Sequence, residues 1–259
     1  MSGVDDLIVI ILTRNEAEHL PGCLTSLHPL TNRILVLDSG SQDNTIEIAR
    51  AAGAWVERRA FDGYANQRNA ALELAENCSP RPTWVLFIDA DERLTPALAA
   101  AIQRVTRGAD ETVAGYWLPR RNVVFGRALR GGGWWPDYQA RLLRLGRARY
   151  DPTRQVHEIV CFDGPSRRVR SALLHYNYAS RREFIAKQRA FSAQRVAQEN
   201  RAGFRPRRRA YLSMPAREFW RRVVRLRGYR DGQTGLFLAA VLAFEELRAV
   251  RALRRGGRA

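Results

Sequence analysis

The sequence predicts an α/β protein: a mixed, mainly parallel sheet flanked by helices, followed by a basic helical appendage. Three observations predict it. Short apolar runs alternate with helix-period segments through the first hundred residues, and repeated β-α units make neighbouring strands parallel. From about residue 114 to 178 the runs shorten and follow one another through loops, as in the second half of one mixed sheet. Beyond residue 180 helical periodicity returns together with most of the positive charge.

The elements follow in order. LIVIIL (7–12) is a first strand, and a helix pattern runs through AEHLPGCLTSL. The six-residue run lacks a basic flank and is too short for a signal peptide or a membrane span. RILVLD (33–38) is the second strand, and the helix TIEIARAAG ends on glycine. AWVER is a short third strand, YANQRNAALELAEN a helix and TWVLFIDAD the fourth strand. TPALAAAIQRV is a helix with Pro96 in its first turn, where proline is tolerated. AGYWLPRRNVVFG, YQARLLRL, QVHEIVCF and RVRSALLHYNY read as shorter strands and loops. SRREFIAKQRAFSAQRVAQENRAG (180–203) is a long helix, and FRPRRRAYLSMP separates it from two more helical segments. The first, REFWRRVVRLRG, sets Phe219, Trp220, Val223, Val224 and Leu226 among arginines. The second, GLFLAAVLAFEELRAVRALRR, holds nine consecutive apolar residues, Leu236 to Phe244. A membrane span needs about 20. The expected division is an α/β domain over 1–179, in halves 1–112 and 113–179, and a helical basic region over 180–259.

Apolar residues make up 46% and charged residues 27%, which excludes a disordered chain. Cys23, Cys78 and Cys161 have neither paired spacing nor a histidine set for zinc, so they read as reduced thiols in a cytoplasmic setting. The net charge is +17, and Lys187 is the one lysine. Residues 201–259 carry sixteen arginines against Glu218, Asp231, Glu245 and Glu246, a net +12. The basic character belongs mainly to the tail, and so does the expectation of an anionic partner.

In sheets of this kind ligands bind at the carboxyl ends of the strands. That sets Thr13–Glu16, Asp38–Asp43 and Asp89–Glu92 on one rim. The run VLFIDADERL (85–94) turns from buried strand to three acids within four residues, Asp89, Asp91 and Glu92. Crowded carboxylates repel unless a cation lies among them. In an extended Asp-Ala-Asp both side chains share one face, and hard carboxylate oxygens suit Mg²⁺ or Mn²⁺, which also binds phosphate oxygens. The competing reading is a solvated acidic turn at a helix N-terminus.

LIVIILTRNE (7–16), LVLDSGSQDNT (35–45), NQRNAAL (66–72) and FIDADE (87–92) together resemble the inverting GT-A glycosyltransferases of family 2, in that family's order and spacing. GGGWWPDYQARLLRL (131–145) and VHE (156–158) resemble its lipopolysaccharide-core branch, bacterial enzymes that add glucose to a heptose. The resemblance implies a GT-A fold, with a nucleotide-sugar half over 1–112 and an acceptor half over 113–179. It implies transfer of a sugar, glucose in this branch, from a nucleotide diphosphate sugar, here a uridine diphosphate sugar, to a lipid-linked glycan. Thr13, Arg14, Asn15, Glu16, Asp38, Ser39, Asp43, Arg68 and Asp89 would then line the donor pocket. The family often has two adjacent acids where this chain has Asp38 and Ser39. Asp89, Asp91 and His157 would hold Mg²⁺ or Mn²⁺, Asp91 most directly, as a Lewis acid on the leaving diphosphate. Asp137 would be the catalytic base, with Glu158 as second candidate; a Pro-Asp turn is the alternative. Trp134, Trp135, Gln139 and Arg141 would meet the acceptor, although both indoles also suit a core, and Gln139 and Arg141 stand one residue closer than the family's Q-x-x-R form. His175 reads as structural, and His19 and His28 carry no signal.

Two other function classes compete. A sugar-phosphate nucleotidyltransferase should carry a glycine-rich basic loop after the first strand, which LTRNEAEHL is not. A nucleic-acid-binding protein would also be basic, but no such motif is present, and no nucleic acid is expected. Arginines alternating with Trp, Phe, Leu and Val on amphipathic helices suit an anionic membrane surface. The expected location is therefore the inner face of the cytoplasmic membrane, held peripherally. Packing of Leu236–Phe244 on the remainder of the protein is the alternative use of the tail.

Overall fold

The computed structural model describes residues 6–108, 110–153 and 159–255. In chain order the elements are β1 (Leu7–Thr13), α1 (Leu20–Leu27), β2 (Ile34–Asp38), α2 (Thr45–Ala51), β3 (Trp55–Arg58), α3 (Tyr64–Glu76) and β4 (Trp84–Asp89). Next come β5 (Glu92–Arg93), α4 (Pro96–Arg107), β6 (Gly115–Val124), β7 (Arg127–Ala128), β8 (Asp137–Arg144), β9 (Ala148–Tyr150), β10 (Val160–Phe162), β11 (Ser166–Arg168) and β12 (Leu173–Tyr178). The chain continues as α5 (Arg181–Arg201), α6 (Ala210–Trp220), a π-helical turn (Arg221–Arg225), a 3₁₀ turn (Gly228–Asp231) and α7 (Gly232–Arg255).

Period-two alternation builds the core of the main sheet. In β1, Leu7, Val9 and Ile11 join one buried cluster with Leu20 and Leu24 of α1 and Leu98 and Ile102 of α4. Ile8 and Ile10 join the opposite cluster with Ala71 and Leu72 of α3. β2 and β4 repeat the pattern, with Ile34, Val36, Trp84, Leu86 and Ile88 on the first face and Leu35, Leu37, Val85 and Phe87 on the second. Strands buried on both faces read as continuous apolar runs, which is why these three were legible. The sheet order is β3-β2-β1-β4-β8-β6-β12-β5. The first four strands are parallel, whereas β8 runs antiparallel to β4 and β12 to β5. The mixed, mainly parallel sheet is as the sequence predicts.

Two compact units emerge: Met1–Arg120 with Tyr138–His175, and Arg121–Asp137 with Tyr176–Ala259. Residues 121–137 thus belong with the C-terminal helices, and the glycines explain how. The Asp231 carboxylate accepts from the backbone N–H groups of Arg130 at 2.7 Å and Gly131 at 2.9 Å. A Cβ on Gly131 would lie 2.2 Å from the Arg227 carbonyl oxygen, so only glycine permits the approach. α6 begins at Ala210 and contains Pro215, inside the stretch the sequence marks as a separator. Proline forfeits one helical hydrogen bond; packing of α6 along α7 outweighs that loss. The apolar run of α7 packs rather than spans: Phe237, Leu238, Val241 and Leu242 meet Val124, Leu129, Tyr178 and Phe184. Among the described residues, no helix is long and apolar enough to cross a membrane.

In the first unit, the turns after β1 and β2 are clasped by side chains. Asp38 is fully buried and accepts from Thr13 Oγ1 at 3.0 Å, from the Gly40 and Ser41 backbone N–H groups at 2.9 and 2.8 Å, and from the Ser41 hydroxyl. Asn15, in the left-handed region at φ 58°, donates its N–H to Ser41 Oγ and accepts from the Gln42 N–H, both at 2.8 Å. Asp43 accepts from the Ala17 N–H at 3.1 Å and from the Thr45 hydroxyl at 2.5 Å. Burial alone would raise the Asp38 pKa, but the hydrogen bonds from Ser41, Thr13 and Gly40 outweigh it and hold the carboxyl below its usual range. Stability from such a lowered carboxylate is complete above the unfolded pKa and is lost as pH falls through the folded one. Asp38→Asn should therefore cost about 1.5–3 kcal/mol at pH 7, the scale of hydrogen bonds to a charged group. In urea unfolding, the gap between variant and parent should narrow below about pH 4; a gap constant with pH would show that the charge is not the cause.

Candidate active site

At the carboxyl end of β4 the carboxylates are held chiefly by arginines. Arg141 of β8, only 4% exposed, donates from Nη1 to Asp89 Oδ1 at 3.0 Å, from Nη2 to Asp89 Oδ2, and from Nη2 to Glu92 Oε1 at 2.9 Å. Arg68 of α3 reaches Asp89 Oδ1 at 3.5 Å, and Arg120 of β6 reaches Glu92 Oε1 at 3.7 Å. Glu92 is wholly buried and accepts the Asp89 backbone N–H at 2.9 Å. Burial pushes the Asp89 pKa up, but the Arg141 and Arg68 charges outweigh it and hold the carboxyl far below its usual range. Glu92 is raised: burial leads, and the Asp89 charge adds to it against the pull of Arg141.

The expected shared face of Asp89 and Asp91 does not form. β4 ends at Asp89 and residues 90–91 form a turn, so the strand periodicity behind that expectation stops one residue too soon. Asp89 faces the guanidinium groups. Asp91 Oδ2 lies 3.1 Å from Nε2 of His175, which the pairing of β12 with β5 brings opposite Glu92. The sequence reading has His175 as structural; in the fold it is the hydrogen-bond partner of Asp91. The antiparallel return of β12 is long-range, and no local pattern signals it. Glu16 is half-buried and raised by its burial and by the charges of Asp91, Asp89 and Asp43, against His19, so the negative potential of the rim is felt at the end of β1.

Among the described residues, no group of three or more His, Cys, Asp or Glu side chains forms a metal cage. Magnesium sites commonly use one or two carboxylates and complete the shell with water and substrate phosphates. Asp91 with His175 fits such an open site. Asp89, engaged by two arginines, fits it less directly. His157 and Glu158 lie outside the described residues.

A cavity of about 320 Å³ opens beside this rim, lined by Leu12, Thr13, Arg14, Glu16, Ser39, Phe61, Tyr64 and Gln67. Its size falls in the small-molecule range of about 300–1,000 Å³. Four expected donor-pocket residues are brought together there: Thr13, Arg14, Glu16 and Ser39. Asp38, Asn15 and Asp43 shape its turns instead. Phe61 and Tyr64, exposed and packed edge to face at 5.0 Å, are a surface that the sequence reading missed. Their signal was two aromatics flanking Gly63, whose φ of 126° favours glycine. Three residues of NQRN do separate work. Gln67 donates to Ser39 Oγ at 2.8 Å. Arg68 stacks over Phe87 and Tyr150 at 5.0 and 5.4 Å, and Asn69 exchanges two 2.9 Å hydrogen bonds with the Tyr150 backbone.

In the second unit, Trp134 packs edge to face on Tyr178 and Phe184, each at 6.2 Å, and Trp135 lies under the Arg121 guanidinium at 4.4 Å. The Trp134 ring is thus taken up by an apolar cluster. Asp137 and Gln139 are half-buried at the start of β8. Arg141, expected at the acceptor, is instead the partner of Asp89 and Glu92.

The sequence pattern of Glycosyl transferase family 2 matches residues 8–173. The chain is 32% identical over 247 residues to the lipopolysaccharide core biosynthesis glycosyltransferase LpsC of Rhizobium meliloti (strain 1021), covering 92% of this chain and 89% of LpsC. It is 34% identical over 101 residues to an uncharacterised glycosyltransferase of Rickettsia conorii, covering 39% of this chain and 34% of that one. Among solved structures it is similar to S. aureus TarS, with TM-score 0.47 and 16% identity over 73% of this chain and 39% of that chain. It is also similar to glucosyl-3-phosphoglycerate synthase from Mycobacterium tuberculosis, solved with Mn²⁺, UDP-glucose and phosphoglyceric acid, with TM-score 0.36 and 22% identity over 45% of this chain and 43% of that chain. With its mixed sheet, its clasped turns after β1 and β2 and the match along most of its length, the chain belongs to glycosyltransferase family 2 and has the GT-A fold.

Proposed function

We propose that this glycosyltransferase moves a hexose, glucose on the branch resemblance, from a uridine diphosphate sugar to a lipid-linked glycan, the inner core of lipopolysaccharide, at the inner face of the cytoplasmic membrane. The observation that carries the reading is the splitting of the Asp-Ala-Asp pair: Asp89 is fixed by arginines while Asp91 and His175 stand together in the rim. Phe61 or Tyr64 offers a ring for the base, and Thr13 and Ser39 offer hydroxyls to the nucleoside. Asp91 and His175 would hold Mg²⁺ or Mn²⁺, which when bound supplies Lewis-acid stabilisation of the diphosphate.

In the proposed step a hydroxyl oxygen of the acceptor forms a bond to the anomeric carbon as the bond to the diphosphate oxygen breaks, with inversion. Asp137 accepts the hydroxyl proton. Support comes from its place in β8: with period two, Asp137, Gln139 and Arg141 fall on one strand face. Membership of glycosyltransferase family 2 speaks against sugar-phosphate nucleotidyl transfer, the competing chemistry of the sequence reading. A screen of nucleotide sugars for metal-dependent release of the nucleoside diphosphate separates the two, since nucleotidyl transfer would yield pyrophosphate or consume it.

Three outcomes test the assignments. Asp91→Ala and His175→Ala should each abolish transfer or raise the Mn²⁺ requirement by about 10- to 100-fold, the scale seen when metal-site partners are removed. Full activity of either variant in chelator removes the metal role. Asp137→Asn should lower turnover by about 10²- to 10⁴-fold, as for loss of a general base, while donor affinity stays unchanged; near-normal turnover passes the role to Glu158. Arg141→Gln should behave differently, losing about 3–5 kcal/mol of stability because Glu92 is left buried without its principal cation. Thermal unfolding distinguishes that loss from a purely catalytic one.

A further inference from the structure

α6 and the π turn carry an apolar stripe that the fold does not bury. Leu212, Ala216, Phe219, Trp220 and Val224 recur at i, i+4, i+7, i+8 and i+12. Leu212 is 83% exposed, Phe219 38%, Trp220 57% and Val224 48%. The stripe runs from α6 into the π turn of Arg221–Arg225. Arg217, Arg221 and Arg225 follow at i, i+4 and i+8 along one border of the stripe, and Arg205, Arg207, Arg208 and Arg209 are exposed just before it. On the other side Glu218 accepts from Arg221 and Arg222 at 2.7 and 2.8 Å, which steadies the helix inside its unit.

A row of leucine, phenylalanine, tryptophan and valine in water marks a contact surface. The charge around it selects the partner. A second copy would set arginine rows against arginine rows. A nucleic acid would match the arginines but offer little to Leu212 and Val224. An anionic bilayer satisfies both: phosphates for the guanidinium groups, and an acyl boundary for the apolar stripe, with tryptophan and arginine at the interface. From Leu212 to Val224 the helix is only about 18 Å long, so it lies in the surface rather than crossing it. We propose that this face docks the chain on an anionic membrane, Leu212, Phe219, Trp220 and Val224 entering the headgroup layer and Arg217 and Arg225 meeting lipid phosphates. The proposal rests on the second unit alone and holds whatever the donor or acceptor proves to be.

The full chain should float with vesicles of phosphatidylglycerol and phosphatidylethanolamine, about tenfold more strongly than with phosphatidylcholine, and less as salt rises. Leu212→Glu with Phe219→Glu should cut that binding by about tenfold or more while circular dichroism is unchanged. Arg217→Gln with Arg225→Gln should weaken it and flatten its salt dependence. Brominated acyl chains should quench the fluorescence of the parent more than that of Trp220→Phe. No flotation with anionic vesicles, or equal flotation of the Leu212→Glu/Phe219→Glu variant, overturns the proposal. So does a concentration-dependent dimer that this variant dissociates, or duplex binding that outcompetes the vesicles.

Discussion

The fork of Arg141 between Asp89 and Glu92 decides how the end of β4 is used. Two acids this close cannot both stay ionised inside a protein without a cation. Strand pairing supplies it. β8 runs antiparallel to β4, with Leu142 opposite Leu86, so the next residue toward the rim, Arg141, arrives beside the carboxyl end of β4. Its planar guanidinium reaches both oxygens of Asp89 and one of Glu92, which a lysine ammonium could not do at once. Buried ion groups of this kind add little net stability but are costly to break. Their value here is positional: Asp89 is fixed, and the turn after it sends Asp91 elsewhere.

That division gives the two aspartates different chemistry within three residues. Asp89, held ionised by Arg141 and Arg68, is an electrostatic fixture. Asp91, half-buried beside His175, keeps oxygens facing the rim where Glu16 feels their charge. Three guanidinium groups, those of Arg68, Arg120 and Arg141, converge on Asp89 and Glu92. The Asp89 and Glu92 charges are thereby matched inside the fold, and Asp91 leads the negative potential that reaches Glu16.

How much of this was legible in the sequence follows from the range of each interaction. The strands β1, β2 and β4 were legible because residues buried on both faces leave unbroken apolar runs. The turn after β2 was legible as a motif, since Asp38 bonds Gly40 and Ser41 and Asp43 bonds Thr45 locally, whereas the bonds to Thr13 and Ala17 span 25 and 26 positions. His175 was not, because it meets Asp91 across 84 positions of sequence through a strand pair no periodicity announces. Arg141 was noticed on its strand but its carboxylate partners were not, since proximity to an acceptor motif says nothing of what lies on the neighbouring strand. The GGGWW segment stands out in the sequence only through the branch resemblance; in the fold Gly131 admits the Arg227 backbone, and Trp134 enters an apolar cluster. Pro215 misled for the opposite reason, as a strong local signal overruled by packing along α7.

Arginine does two kinds of work in this chain, and only burial tells them apart. In the first unit Arg68 and Arg141 are 8% and 4% exposed and lie against carboxylates and rings; there the fork is an internal tie. In the second unit Arg217, Arg225 and the run Arg207–Arg209 are exposed beside apolar side chains; there the same fork is offered outward. Composition counts both alike among 43 basic residues. A reading from the arginine count alone would assign all of them to a partner, although some are matched by carboxylates inside the fold. The outward part lies along one helix border, next to Leu212, Phe219 and Trp220, and is what the proposed lipid surface would meet.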